Sequence, residues 1–294
     1  MKNILVLAIV VASLSNSFLF AKEKYPLRQL TSSPNQVGFF DWSPDAKTIV
    51  YSKSTGLWKF SVDGGDPWQI ITIQTQHPDF SPDGRYIVFD ADKGETIKII
   101  TSDGGVPIRI VPDSIPIIRS GYPLWSPDGS MILFQGGSLA LYLLEVQTGK
   151  FTKVMEFEKL IPVPKSWSPD GGKFLISLRD IPKREANLWL ISLGGEKKQL
   201  TFDGAKGYGN GDFSPDGSLI VYSTYIDHKL WIMSSQGGKS LQLTFSPDAR
   251  DSDPKFSPDG KRVAFTREIS GDGNIWTLEL NMEDIKRELK LINK

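Results

Sequence analysis

Residues able to do chemistry are few in this chain. It has two histidines, His77 and His228, and no cysteine. The missing cysteine removes disulfides, a thiol nucleophile, thiolate zinc ligands and a lipidated N-terminal cysteine. Two histidines and scattered aspartates fall short of a metal-binding set, so no metal and no cofactor are expected. Nucleophilic hydrolysis of the α/β-hydrolase kind needs a G-x-S-x-G elbow, and none occurs. Gln236–Ser240 (QGGKS) is similar to the end of a phosphate loop, but Met233 stands where the first glycine is required. Ser270–Asn274 (SGDGN) gathers oxygen donors as a calcium loop does, yet a solvated β-turn explains the same residues.

The aspartates that stand out are Asp45, Asp83, Asp128, Asp170, Asp216 and Asp259. Each is the third residue of a Ser-Pro-Asp unit that follows an aromatic residue. A catalytic group is needed once, whereas turn chemistry is needed at every turn. These six therefore belong to the architecture. Their serines, Ser43, Ser81, Ser126, Ser168, Ser214 and Ser257, are separated by steps of 38, 45, 42, 46 and 43 residues. A fixed period of this length marks a repeat fold. A seventh match, Phe245–Ala249, lies close before Ser257 and lacks a following apolar strand, so it reads as loop.

Each unit specifies a hairpin. Ser suits the first turn position, Pro presets φ at the second and Gly tolerates the last. Before the serine stand Trp42, Phe80, Trp125, Trp167, Phe213 and Phe256. After the turn come apolar triplets, Ile49–Tyr51, Ile87–Phe89, Ile132–Phe134, Phe174–Ile176, Ile220–Tyr222 and Val263–Phe265. Consecutive rather than alternating apolar residues describe a strand covered on both faces. A third strand, Gly-rich turns and a fourth strand complete the first five units. The sixth has three strands, and its tail, 282–294, reads as a polar helix. Pro26–Thr31 (PLRQLT) matches the fourth strands KKQLTF and SLQLTF. The fold expected is all-β: a six-bladed β-propeller of four-stranded antiparallel blades, with the N-terminal strand closing the last blade and removing open edges.

The pattern aromatic-SPDG-x-x-I-V-F, then Leu/Ile-Trp, then Gly-Gly, then x-x-L-T, resembles the TolB-type propeller repeat over roughly residues 25–280. The resemblance implies that ligands or partners bind where inter-blade loops meet the loops after second strands. The candidates there are His77, Arg119, Tyr122, Lys165, Tyr208, Asn210, Asp251 and Asp253. The function it implies is that of an exported, non-enzymatic protein-binding or scaffold propeller holding a protein or peptide partner in the cell envelope. The alternative is a channel-site lyase or lactonase acting on a sugar-derived substrate. A convergent cluster of acids and histidine in the channel would favour the enzyme, and a dry, mixed or aromatic surface the binder.

The N-terminus predicts export. Lys2, the apolar run Ile4–Leu14 and Ala21 form a secretory signal with cleavage expected after Ala21, leaving 22–294 as the propeller with its short tail. A periplasmic or secreted monomer with no stable membrane insertion is expected. The chain carries 34 basic and 34 acidic residues, with no basic stripe of the kind a nucleic-acid partner requires.

Overall fold

The computed structural model describes residues 23–32, 37–112, 114–115, 121–137, 139–204 and 207–291. Residues 1–21, where a secretory signal is expected, and Arg119 lie outside the described residues.

Strand β1 (Leu27–Gln29) opens the described chain. Blade 1 follows as β2 (Phe40–Trp42), β3 (Thr48–Lys53), β4 (Gly56–Ser61) and β5 (Trp68–Ile71). Blade 2 is β6 (Thr75–Phe80), β7 (Tyr86–Ala91), β8 (Thr96–Thr101) and β9 (Ile108–Arg109). Blade 3 is β10 (Leu124–Trp125), β11 (Met131–Gly136), β12 (Ala140–Glu145) and β13 (Lys150–Glu156). Blade 4 is β14 (Ile161–Trp167), β15 (Lys173–Asp180), β16 (Glu185–Ser192) and β17 (Lys197–Gln199). Blade 5 is β18 (Tyr208–Phe213), β19 (Leu219–Thr224), β20 (Leu230–Ser234) and β21 (Ser240–Gln242). Blade 6 is β22 (Ala249–Phe256), β23 (Arg262–Ile269) and β24 (Asp272–Glu279), with β1 as its fourth strand. Every pairing is antiparallel, and helix α1 (Met282–Glu288) ends the described fold.

The apolar triplets explain how blades adhere. In β3, Ile49 and Tyr51 pack with Ala264 and Ile275 of blade 6, while Val50 between them packs with Phe80, Ile87 and Phe89 of blade 2. In β7, Val88 likewise turns toward Trp125, Ile132 and Phe134 of blade 3. Each second strand thus contributes to two inter-blade cores, which is why its sequence is apolar on consecutive residues.

Each Ser-Pro-Asp turn is built the same way. In blade 2 the Ser81 hydroxyl donates to Asp83 Oδ1 (2.6 Å) and accepts from the Tyr86 amide (2.9 Å). Asp83 Oδ1 also accepts from the Arg85 amide (3.0 Å). The same bonds recur in the other five blades, for example at Ser126 and Asp128 and at Ser257 and Asp259. The fourth turn residue is left-handed. Gly84 has φ 72° and faces Pro44 of the preceding turn, a contact repeated between Gly129 and Pro82. Blade 1 has Ala46 there at φ 58°, where an L-residue is strained.

Ring closure uses the fourth-strand motif literally. Leu27, Arg28 and Gln29 pair with Leu278, Thr277 and Trp276. The Gln29 side chain donates to the Thr31 carbonyl (2.7 Å), as Gln199 does to Thr201 and Gln242 to Thr244. Thr31 Oγ1 accepts from the Ile275 amide (2.9 Å), matching Thr201 with Leu188 and Thr244 with Leu230. Glu23 accepts from the amides of Phe245 and Ser246 and from Arg267 Nη2. Helix α1 is capped by Asn281 and buries Ile285, with Leu289 just beyond it, against the core between blades 5 and 6.

Two stability outcomes follow from this architecture. Replacing Ala46→Gly relieves the left-handed strain, and the thermal midpoint should rise by about 2–4 °C, corresponding to about 1 kcal/mol. A drop in midpoint would show that the turn tolerates alanine without strain. A chain starting at Ser32 loses β1 and Glu23, and its midpoint should fall by roughly 10 °C, because several kcal/mol is a large part of a typical margin. An unchanged midpoint would mean that β1 contributes no net stability.

Candidate functional site

The innermost strands β2, β6, β10, β14, β18 and β22 run along the central channel, and each has one edge without a strand partner in its own blade. Buried amides on that edge need acceptors. The residue two before the serine supplies them to the next blade. Asp41 Oδ2 accepts from the Phe80 amide (2.9 Å), Asp79 Oδ2 from Trp125 (2.7 Å) and Asp212 Oδ2 from Phe256 (2.8 Å). Ser166 Oγ accepts from Phe213 (3.2 Å). In blade 6 the same position is Lys255. Its ammonium lies 3.4 Å from Asp41 Oδ1 and 3.8 Å from Asp79 Oδ1.

This floor is a charge cluster whose members perturb one another. Burial, and then Asp41, pushes Asp79 up to about 8. Burial pushes Asp212 up to about 6. Burial alone would lower Lys255, but Asp41, Asp79 and Asp212 outweigh it and hold its pKa above the ordinary lysine value.

A second layer lies two residues further from the turn, at Phe39, His77, Tyr122, Asn210 and Asp253. His77, Tyr122 and Asp253 are left-handed, with φ of 47°, 48° and 53°. In β6 and β22 the ladder slips at these residues, between Gln76 and Asp79 and between Ser252 and Lys255. Such bulges re-aim side chains, and the strained backbone must be held by its surroundings.

The His77 ring is packed between Phe39 (3.8 Å between centroids) and Tyr122 (4.0 Å). Its Nδ1 is 2.6 Å from Oδ2 of the fully buried Asp90, whose Oδ1 accepts from the Gly121 amide (2.9 Å). A carboxylate only accepts, so this contact assigns the proton to Nδ1. Nε2 is buried without a hydrogen-bond partner. Lys165 donates to Asn210 Oδ1, and its ammonium lies 5.4 Å from the centre of the Tyr122 ring. Burial, and then Arg179, pulls its pKa well below the ordinary lysine value. Asp253 is raised by burial, against the opposing effects of Ser252, Lys165 and His77. Its Oδ2 accepts from Ser252 (2.9 Å), and its Oδ1 is buried without a partner. Arg179 donates from Nη2 to the Tyr225 hydroxyl (3.0 Å), while its Nε is buried without a partner. The second layer encloses a cavity of about 60 Å³ lined by Phe39, His77, Tyr122, Lys165, Asn210 and Asp253, among others.

The structure therefore brings His77, Tyr122, Lys165, Asn210 and Asp253 together. It places His77, Lys165, Asn210 and Asp253 within the innermost strands β6, β14, β18 and β22 and Tyr122 two residues before β10: bulges disguise the strand pattern there, so the strands begin earlier than the sequence shows. Asp251 is elsewhere, buried and forked by Arg267 Nε (2.7 Å) and Nη2 (2.9 Å). Tyr208 opens β18. His228 sits half-buried between β19 and β20. The sequence reading missed Asp90, Arg179, Tyr225 and the floor residues. A usable signal existed only for the floor, where aspartate precedes the aromatic residue in three blades. Among the described residues, no group of three or more His, Asp or Glu is placed to hold a metal.

The TolB beta propeller domain family matches residues 93–286. An uncharacterised protein of Agrobacterium fabrum is 26% identical over 212 residues, 68% of this chain and 69% of that protein. An uncharacterised peptidase of Bacillus subtilis is 29% identical over 202 residues, 62% of this chain but 28% of the peptidase. The Tol-Pal system protein TolB of Francisella tularensis is 32% identical over 85 residues, 28% of this chain and 19% of TolB. The chain thus spans less than a third of the latter two. Among solved structures, a putative TolB from Agrobacterium tumefaciens superposes with a TM-score of 0.67 at 21% identity, covering 86% of this chain and 93% of the other. An oligogalacturonate lyase in complex with manganese reaches 0.60 at 14% identity, covering 90% and 95%. At these identities the likeness is one of fold.

The floor makes stability depend on pH. An acid raised from 3.8 to about 8 contributes stability that is complete below about pH 4 and lost as pH rises through about 8. Asp79→Asn keeps an acceptor for the Trp125 amide and removes the titration. Denaturant unfolding between about pH 5 and about pH 9 should show the wild type losing more stability than the variant over that interval. Parallel profiles would show that Asp79 does not titrate as its burial implies.

Proposed function

Because this chain belongs to the TolB β-propeller domain family, we propose that it is an exported, non-enzymatic binding propeller of the cell envelope that holds a protein or peptide partner at the mouth of its channel. The observation that carries this reading is a set of three buried polar atoms without hydrogen-bond partners, His77 Nε2 and Asp253 Oδ1 on residues lining the cavity and Arg179 Nε on β15. Buried polar groups are ordinarily paired, and each unpaired one costs about 1–3 kcal/mol. A ligand that supplies the missing partners recovers that cost on binding. Tyr122, Tyr225 and Arg179 are residue types that anchor interfaces. The opposite face consists of repeated Ser-Pro-Asp turns, which offer little with which to choose a partner. Export is supported by Lys2, the apolar run that follows and Ala21. Among the described residues no helix is long and apolar enough to cross a membrane.

One observation favours the enzymatic alternative. The Asp90–His77 pair leaves a histidine nitrogen available as a base, beside an Asp253 whose raised pKa suits it to act as an acid. That arrangement could abstract a proton from, or open, a sugar-derived lyase or lactone substrate.

One panel separates the two readings. Tyr122→Ala and Lys165→Met should weaken capture of the envelope partner by about tenfold or more, with little change in thermal midpoint. Full capture by both variants, together with turnover of envelope uronides or lactones that disappears in His77→Gln, would replace the binder with the enzyme.

A further inference from the structure

Lysine is almost never fully buried without a counter-charge. Lys165, on β14, is 5% exposed and lines the cavity above the channel floor. Its ammonium donates to Asn210 Oδ1 and lies 5.4 Å from the centre of the Tyr122 ring. Among the described residues no carboxylate forms an ion pair with it. Lys255 on β22 differs, with oxygens of Asp41 and Asp79 at 3.4 and 3.8 Å. The charged groups acting on Lys165 are Arg179 on β15 and Asp253 and Lys255 on β22, so two of the three are cations. The other titratable groups on the cavity wall are His77 on β6 and the Tyr122 hydroxyl. Loss of water, and then Arg179, favour the neutral amine, whereas the carboxylates around Lys255 favour its ammonium. Lys59 and Lys229 are also buried, but they bond to main-chain carbonyls and neither lines this cavity.

A neutral amine is a nucleophile toward carbonyl carbon. The space beside Lys165 suits a small reactant. A cavity of about 60 Å³ holds a few water-sized groups, because one water needs roughly 10–15 Å³ by the same measure. Pro78, Pro123, Pro164, Pro254 and Phe39 give it apolar walls. A proton acceptor stands on the same wall. His77 shares the Tyr122 ring with Lys165, at 4.0 Å between ring centroids. Asp90 holds the imidazole proton on Nδ1, so the buried, unpartnered Nε2 is free to take another.

We propose that Lys165 is a nucleophilic amine that captures a small aldehyde in the channel cavity as an imine. Its nitrogen bonds to the carbonyl carbon, and the carbon–oxygen double bond breaks. The two amine protons pass through His77 Nε2 and leave with the oxygen as water. No oxidant or reductant takes part. An aldehyde of about three heavy atoms fits the cavity, and an aromatic one does not. This goes beyond the partner-binding reading and stands or falls separately from it.

The test incubates the protein with acetaldehyde and cyanoborohydride, which traps an imine as ethyl-lysine, and reads each lysine by peptide mass spectrometry. Lys47 and Lys173, both exposed, serve as references. An ordinary lysine is free amine in fewer than about one molecule in a thousand at pH 7, so Lys165 should be ethylated at least about tenfold faster than either reference. That ratio should fall several-fold by pH 9, where the references have gained about a hundredfold in free amine. Benzaldehyde should label the references and not Lys165. Asn210→Asp sets a carboxylate against the ammonium and should bring the rate at Lys165 down to that of the references at pH 7. His77→Gln should slow Lys165 several-fold and leave Lys47 unchanged; equal rates would overturn the proton relay. Labelling of wild-type Lys165 no faster than Lys47 at pH 7, or a ratio that does not change with pH, would overturn the nucleophile itself.

Discussion

An innermost propeller strand has an edge with no strand beside it, and its buried amides must find acceptors in another blade. Asp41, Asp79, Ser166 and Asp212 meet that need by reaching to Phe80, Trp125, Phe213 and Phe256. Three of the four are carboxylates facing a narrow channel, where burial without a counter-charge is costly. Lys255 supplies the charge from the same position of blade 6, and blade 3, with Leu124 there, offers neither acceptor nor charge. The floor of the channel is thereby occupied by its own cluster of carboxyl groups around Lys255.

The two ends of the propeller are made by different physics. At one end, six serine–aspartate turns repeat the same hydrogen bonds, and glycines lie against the prolines of preceding turns. That end cannot vary much without loosening the ring. At the other end the strands bulge, three residues of the second layer, His77, Tyr122 and Asp253, take left-handed conformations, and the side chains of that layer differ from blade to blade. Strain and unpaired polar atoms collect there because the surrounding blades are rigid enough to hold them.

The architecture was legible because it depends on local periodicity. Ile87-Val88-Phe89 reads as a strand covered on both faces, and Val88 does turn to one blade while its neighbours turn to the other. The Gln-Leu-Thr of Pro26–Thr31 identified the closing strand because its side-chain bonds are those of the other fourth strands. The site was legible only in part. His77, Tyr122, Lys165, Asn210 and Asp253 could be named as residues near the channel end. Asp90 could not be linked to His77, because that pairing depends on a bulge that shifts the register of β6 against β7. Arg179 and Tyr225 come from neighbouring blades, and no spacing rule in the chain joins them.

Under the proposed function, recognition occurs at the channel mouth and not on the turn face. Hydrogen–deuterium exchange of the protein, alone and with a captured partner, measures this most directly. Added protection is expected at residues 121–124, 163–166, 179–186, 207–211, 224–229 and 251–254, with the six Ser-Pro-Asp turns unchanged. Protection confined to those turns or to the outer strands, with none at the mouth, would contradict it.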